Sequence, residues 1–202
     1  VVTEPVPLAV STLAEPGPQG VPSGSYAALG ISGQTLSVGD CTVTLRLHPT
    51  LKLSRRQVVL SWLDERGVGL ELELTPALTL KGRIGTGSGE ATIESRGPVP
   101  LNAWSTVTLT VDTAAGMLGL SVTALAAHAV ADAVSTTLPA SAQPAGGSRR
   151  LSLASGSDQA PVDTFNGRLE NPKLFSRALS SGELARVWAG ESVEGLLAAW
   201  DF

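Results

Sequence analysis

Residues 165–190, FNGRLENPKLFSRALSSGELARVWAG, begin with the alternation of a strand and end with the punctuation of a helix. Ser180 and Glu183 have the capping-box spacing, in which hydroxyl and carboxylate each take up a backbone N–H left over at a helix start. Leu179 and Leu184 flank the cap as a hydrophobic staple, so a helix is expected from about Ser181. Leu184, Val187 and Trp188 share one face, Arg186 suits the C-terminal dipole, and Gly190 supplies the left-handed stop. A helix of about two turns is not stable alone and must bury that face on something larger. Before it, Phe165, Gly167 and Leu169 have one parity and Pro172 and Leu174 the other. The strand must therefore slip by one residue at Asn171-Pro172, as at a bulge or on an edge.

Outward from this stretch the chain reads as strands. CTVTLRLH (41–48) alternates Val43, Leu45 and Leu47 with Thr42, Thr44 and Arg46, as a strand with one buried face requires. QVVLSWLD (57–64), VGLELELT (68–75) and LTLKGRIG (78–85) form a meander, and WSTVTLTVD (104–112) with MLGLSVTA (117–124) a further hairpin. RRLSLAS (149–155) and GLLAAWDF (195–202) complete about ten strands, which points to two packed antiparallel sheets. The alanine-rich 124–135 is read as extended or irregular, GRIGTGSGE (82–90) as a flexible turn loop, and PASAQPAGGS (139–148) as a loop. Proline and glycine mark residues 1–34 as an extended segment or linker, leaving 35–202 as one domain.

Composition excludes some partners. A net charge of −4 with scattered arginines gives no footprint for nucleic acid or an anionic membrane. The single Cys41 heads an apolar strand and reads as a buried thiol, which is compatible with a reducing, cytoplasmic setting.

Few residues are candidates for chemistry. Glu71 and Glu73 share a strand face, as a glycosidase pair would, but Thr75 stands where a third acid would follow. They read as solvent-facing glutamates, and no glycosidase is expected. Asp158, Asp163 and Asn166 form a loose acidic cluster best explained by turn chemistry, so no metal is expected. His48 and His128 have no partner at ligand spacing. With 4% aromatic content and all four tryptophans in core-like patterns, carbohydrate binding is the less favoured alternative.

The ordered set Trp104-x-x-Val107-x-Leu109-x-x-Asp112, then Phe165-x-Gly167-x-Leu169, Arg177 to Ser180, a docking helix and a closing strand with Trp200 resembles laminin-G-like domains. The resemblance implies an all-β concanavalin A-like jelly-roll sandwich with one short C-terminal docking helix. It makes Trp104, Phe165, Gly167, Leu169, Ser180, Glu183, Leu184, Trp188 and Trp200 a structural signature rather than a catalytic set. FNGRLENPKLFSRALS followed by LLAAWDF is most similar to this domain in the large subunit of bacterial N,N-dimethylformamidases. That similarity implies a non-catalytic accessory module packed on a catalytic region or a neighbouring subunit. Iron-dependent hydrolysis of small N-substituted amides would then occur elsewhere, and this module would hold no cofactor.

Overall fold

The computed structural model describes residues 9–11, 26–29, 39–64, 66–86, 89–125, 131–139, 151–156 and 162–200. Their strands are β1 (Ala9–Ser11), β2 (Tyr26–Leu29), β3 (Cys41–Pro49), β4 (Gln57–Leu63), β5 (Gly69–Leu74), β6 (Leu80–Thr86) and β7 (Gly89–Glu94). They continue with β8 (Ser105–Asp112), β9 (Met117–Ala124), β10 (Asp132–Thr137), β11 (Leu151–Leu153), β12 (Gly167–Phe175) and β13 (Leu196–Ala199). One helix, α1 (Ser181–Trp188), lies between the last two. A seven-stranded sheet in the order β1-β2-β11-β4-β5-β6-β7 faces a six-stranded sheet in the order β10-β9-β8-β3-β12-β13. All the strand pairings are antiparallel, the arrangement of a jelly-roll sandwich.

The core follows from the alternation. Val43, Leu45 and Leu47 of β3 and Val107, Leu109 and Val111 of β8 meet Leu60, Trp62, Leu70, Leu72 and Leu74 of the opposite sheet, all buried. The outer face of the six-stranded sheet then carries the alternate residues, with Thr42, Thr44 and Arg46 opposite Thr110, Thr108 and Thr106. Thr44 and Thr108 share a hydrogen bond of 2.9 Å there.

The parity slip falls at Asn171-Pro172. The β3–β12 register shifts between Glu170 and Lys173, and Asn171 takes a φ of 50°, a left-handed conformation that asparagine tolerates. Leu169 and Leu174 both face the main core despite their odd spacing. α1 has both halves of its capping box, with the Ser180 hydroxyl accepting from the Glu183 N–H and the Glu183 carboxylate accepting from the Ser180 N–H at 2.9 Å. Its staple residue Leu179 joins Phe175, Val187, Val193 and Leu184 in a second small core on the outer face of the sheet. Thr42 ties this lead-in down, accepting from the Leu179 N–H at 3.0 Å and donating to the Arg177 carbonyl at 2.9 Å.

Several expectations change. The stretch read as an N-terminal segment or linker contributes β1 and β2, and β2 pairs with β11, so Tyr26–Leu29 belongs to the sandwich. Proline and glycine around these short strands hid them. GRIGTGSGE is not one loop: β6 runs to Thr86 and β7 begins at Gly89, an edge strand whose only inward residues are Ala91 and Ile93. Within 124–135 the end forms the start of β10, while 126–130 lie outside the described residues, as do His128, Asp158 and the terminal 201–202.

Candidate functional site

Glu71 and Glu73 lie on the outer face of the seven-stranded sheet, as the alternation required, but they are not the solvent-facing pair the sequence suggested. The Glu71 side chain is only 4% exposed and Glu73 13%. Arg56, just before β4, donates to Glu71 at 3.1 Å, to Glu73 at 2.9 Å and, through Nε, to Asp163 at 2.7 Å. Arg83 approaches Glu71 at 3.7 Å and Glu90 at 3.3 Å. Burial opposes the Arg56 charge, yet hydrogen bonds to Asp163 and Glu73 outweigh it and hold the guanidinium above its ordinary pKa. A general acid or nucleophile must reach a substrate, and these carboxylates are largely buried and paired with arginine. The cluster is a clamp that binds the segment before β12 to the sheet.

The same clamp engages one member of the loose acidic cluster. Asp163 is engaged by Arg56 and lies 3.9 Å from Arg55. The Asn166 side-chain oxygen accepts from the Thr50 hydroxyl at 2.6 Å. Among the described residues no group of three or more His, Cys, Asp or Glu is placed to hold a metal. Cys41 is buried in the core; burial, with a smaller push from Asp40, raises its thiol to about 12, so no thiolate forms near neutrality.

The tryptophans require a correction. Of the four, only Trp62 is fully buried; Trp104, Trp188 and Trp200 are partly exposed. Trp200 packs on the edge of the main core. Trp188 does not join the buried face of α1, where Val187 does that work. It lies on the outer face of the six-stranded sheet, with the Arg46 guanidinium 5.2 Å and the Lys173 ammonium 5.8 Å from its ring centroid. The i, i+4 spacing from Leu184 set its side of the helix but not how far across the sheet the ring reaches. Trp104 tilts at 60° against His48, centroids 5.2 Å apart. The other signature residues are structural: Phe165 is core, Leu169 packs against it, and Gly167 sits where a Cβ would strike the His48 carbonyl and the Phe165 ring.

One end of the sandwich has a surface the sequence did not reveal. There β3 ends and β4, β8 and β12 begin. Its loops are joined by bonds from Asn102 N–H to Pro49 (2.7 Å), Leu125 N–H to Trp104 (2.8 Å), Thr50 N–H to Asn166 (3.1 Å) and Val58 N–H to Asp163 (2.7 Å). Buried Gln57 knots two of them, donating to the Leu51 carbonyl and accepting from the Asn166 N–H. This framework presents Leu51 (47% exposed), Leu101 (36%), Leu125 (49%) and Val162 (46%), four of the five exposed large hydrophobics among the described residues. Their only sequence signal was position, in loops outside any alternating run.

Comparison with known proteins places this geometry. The sequence profile of the concanavalin A-like lectin/glucanases superfamily matches residues 22–185. No curated protein sequence matches the chain. Among solved structures, the CBM40 of the Ruminococcus gnavus IT-sialidase, bound to α2,3-sialyllactose, is similar at a TM-score of 0.59 and 16% identity, over 75% of this chain and 83% of that one. A native heptameric SAP-like pentraxin from Limulus polyphemus is similar at 0.56 and 14%, over 76% and 72%. Domains LG4-5 of the mouse laminin α1 chain are similar at 0.52 and 17%, over 85% and 43%. At such identities the likeness concerns the fold alone.

Proposed function

The chain belongs to the concanavalin A-like lectin/glucanase superfamily, and we propose that within it this sandwich is a non-catalytic accessory module that docks another folded protein surface through its loop-bearing end. The observation that carries this reading is the gathering of Leu51, Leu101, Leu125 and Val162 at one end, on loops fixed by hydrogen bonds. Exposed apolar side chains collected on a pre-formed framework suit burial against a partner at little ordering cost. We take the partner from the resemblance read in residues 165–180 and the closing strand, which the comparisons do not include: it is the catalytic region of a longer, N,N-dimethylformamidase-like chain or a neighbouring subunit, in a bacterial cytoplasm. The iron of such an enzyme would be held in that catalytic region.

Hydrogen exchange tests the docking. In the full-length coding protein, amides around 49–53, 100–103 and 124–125 should exchange more slowly than in residues 1–202 alone, while the core strands should be alike in both. Equal exchange of these loops in the two would refute it.

A second reading, carbohydrate binding, is favoured by one observation: Trp104 and Trp188 lie at the surface of the six-stranded sheet rather than in its core. Aromatic faces beside convergent polar groups are what sugar recognition uses.

A further inference from the structure

The outer face of β3 carries a row of groups that the docking end does not explain. His48 stands opposite Arg168 of β12, and Arg46 stands opposite Glu170 on one side and Thr106 of β8 on the other. Beyond Thr106 the row continues to Thr123 of β9. Arg46 and His48 are two residues apart on one face, so their rows are about 7 Å apart. Trp104 leans on His48, while Trp188 stands over Arg46 and Lys173. The result is a shallow polar floor between two indoles.

Two features of the floor are costly for packing alone. The Arg46 Nε and the His48 Nδ1 are both buried and have no hydrogen-bond partner among the described residues, although buried polar atoms are nearly always satisfied. The charge is also unbalanced in a chain whose net charge is −4. Arg46, Arg168 and Lys173 lie on these strands with Glu170, which Arg46 meets at 3.3 Å, the one carboxylate paired with any of them among the described residues. Lys173 gives its ammonium to the Val187 carbonyl and has no carboxylate partner among the described residues; Arg168 is exposed and has none among them either.

Resting on the carbohydrate reading, we infer that this floor is a binding site for an acidic saccharide, a sugar bearing a carboxylate such as a uronic acid. The sugar's apolar face lies against Trp188, its hydroxyls reach Thr106 and Thr123, and its carboxylate pairs with Arg168 and Arg46. Guanidinium forks suit a planar carboxylate better than they suit hydroxyls, which selects the acidic class. A neutral sugar would leave the surplus positive charge unmet.

Titration calorimetry of residues 1–202 with trigalacturonic acid and with neutral galactotriose tests the inference, with indole N–H NMR shifts locating the contact. Saturable binding of the acidic trimer is expected, about tenfold or more tighter than the neutral one, as one charge-assisted contact implies. It should weaken as salt rises. Arg168→Gln, at an exposed position, should remove most of the preference for acid without changing the melting temperature, and Trp188→Ala should abolish binding. Leu101→Asp, at the docking end, should bind as the parent does. No saturable binding of either trimer would overturn both the inference and the carbohydrate reading. Equal affinity for the two trimers, or an Arg168→Gln variant with the parent's preference, would overturn the acidic site alone.

Discussion

Gly167→Ala and Gly182→Ala are the same chemical change, and the structure gives them opposite signs. At Gly167, the first residue of β12, a Cβ would lie 2.7 Å from two carbons of the Phe165 ring and closer still to the His48 carbonyl oxygen. Phe165 belongs to the main core and cannot swing into solvent, and the carbonyl is backbone of the neighbouring strand. Overpacking of this kind costs about 1–3 kcal/mol, and losing one ladder bond between β3 and β12 adds about 1 kcal/mol, for roughly 2–4 kcal/mol in all. In a chain of this size that lowers the melting temperature by roughly 5–15 °C. Gly182 is the second residue of α1, with nothing within 4 Å of a would-be Cβ. Alanine there should stabilise by about 0.5–1 kcal/mol, the helix-propensity difference. Urea unfolding followed by tryptophan fluorescence measures both. A Gly167→Ala midpoint equal to the parent's, or a Gly182→Ala variant less stable than the parent, would refute the packing described here.

Further predictions concern the helix, pH and metal. Val187→Ala should cost about 1.5–3 kcal/mol, since it empties part of the second core; a midpoint unchanged in urea would show that α1 is not docked there. The Arg177 guanidinium, then the Ser180 N–H and hydroxyl, lower the Glu183 carboxyl to about 2. A depressed folded pKa means that the contribution is complete above the unfolded value near 4.5 and fades as pH falls from about 5 towards 2. The stability difference between parent and Glu183→Gln should shrink over that window, and a pH-independent difference would count against the capping box. Millimolar calcium should leave the melting curve unmoved because Asp163 is held by Arg56; a clear upward shift would reveal a site these contacts do not predict.

How legible the chain was depends on how local the physics is. The segment 165–190 could be read almost residue by residue, because caps, staples and bulges are decided within a few positions. Glu71 shows the limit. Alternation gave its face, but its partners are Arg56 and Arg83, and Arg56 is itself held by Asp163 from the far side of the chain. β7 was missed because an edge strand with Ala91 and Ile93 as its only inward residues resembles a polar loop. Trp188 was placed on the correct helix but in the wrong layer, since helical periodicity does not say what lies beneath the ring. The apolar loop end left no trace because Leu51, Leu101 and Leu125 look the same in sequence whether a loop buries or presents them.

Cys41 has a practical consequence. A thiol sealed in the core and raised to about 12 is shielded from alkylating reagents while the sandwich stays closed. Modification must then wait for an opening that separates β3 from its neighbours, since Cys41 pairs with Val111 inside the ladder. Under conditions where closing outpaces reaction, the labelling rate reports how often the fold opens there. The protein thus contains its own stopwatch, readable by mass spectrometry in dilute buffer or in a cell extract, with no mutation and no added dye.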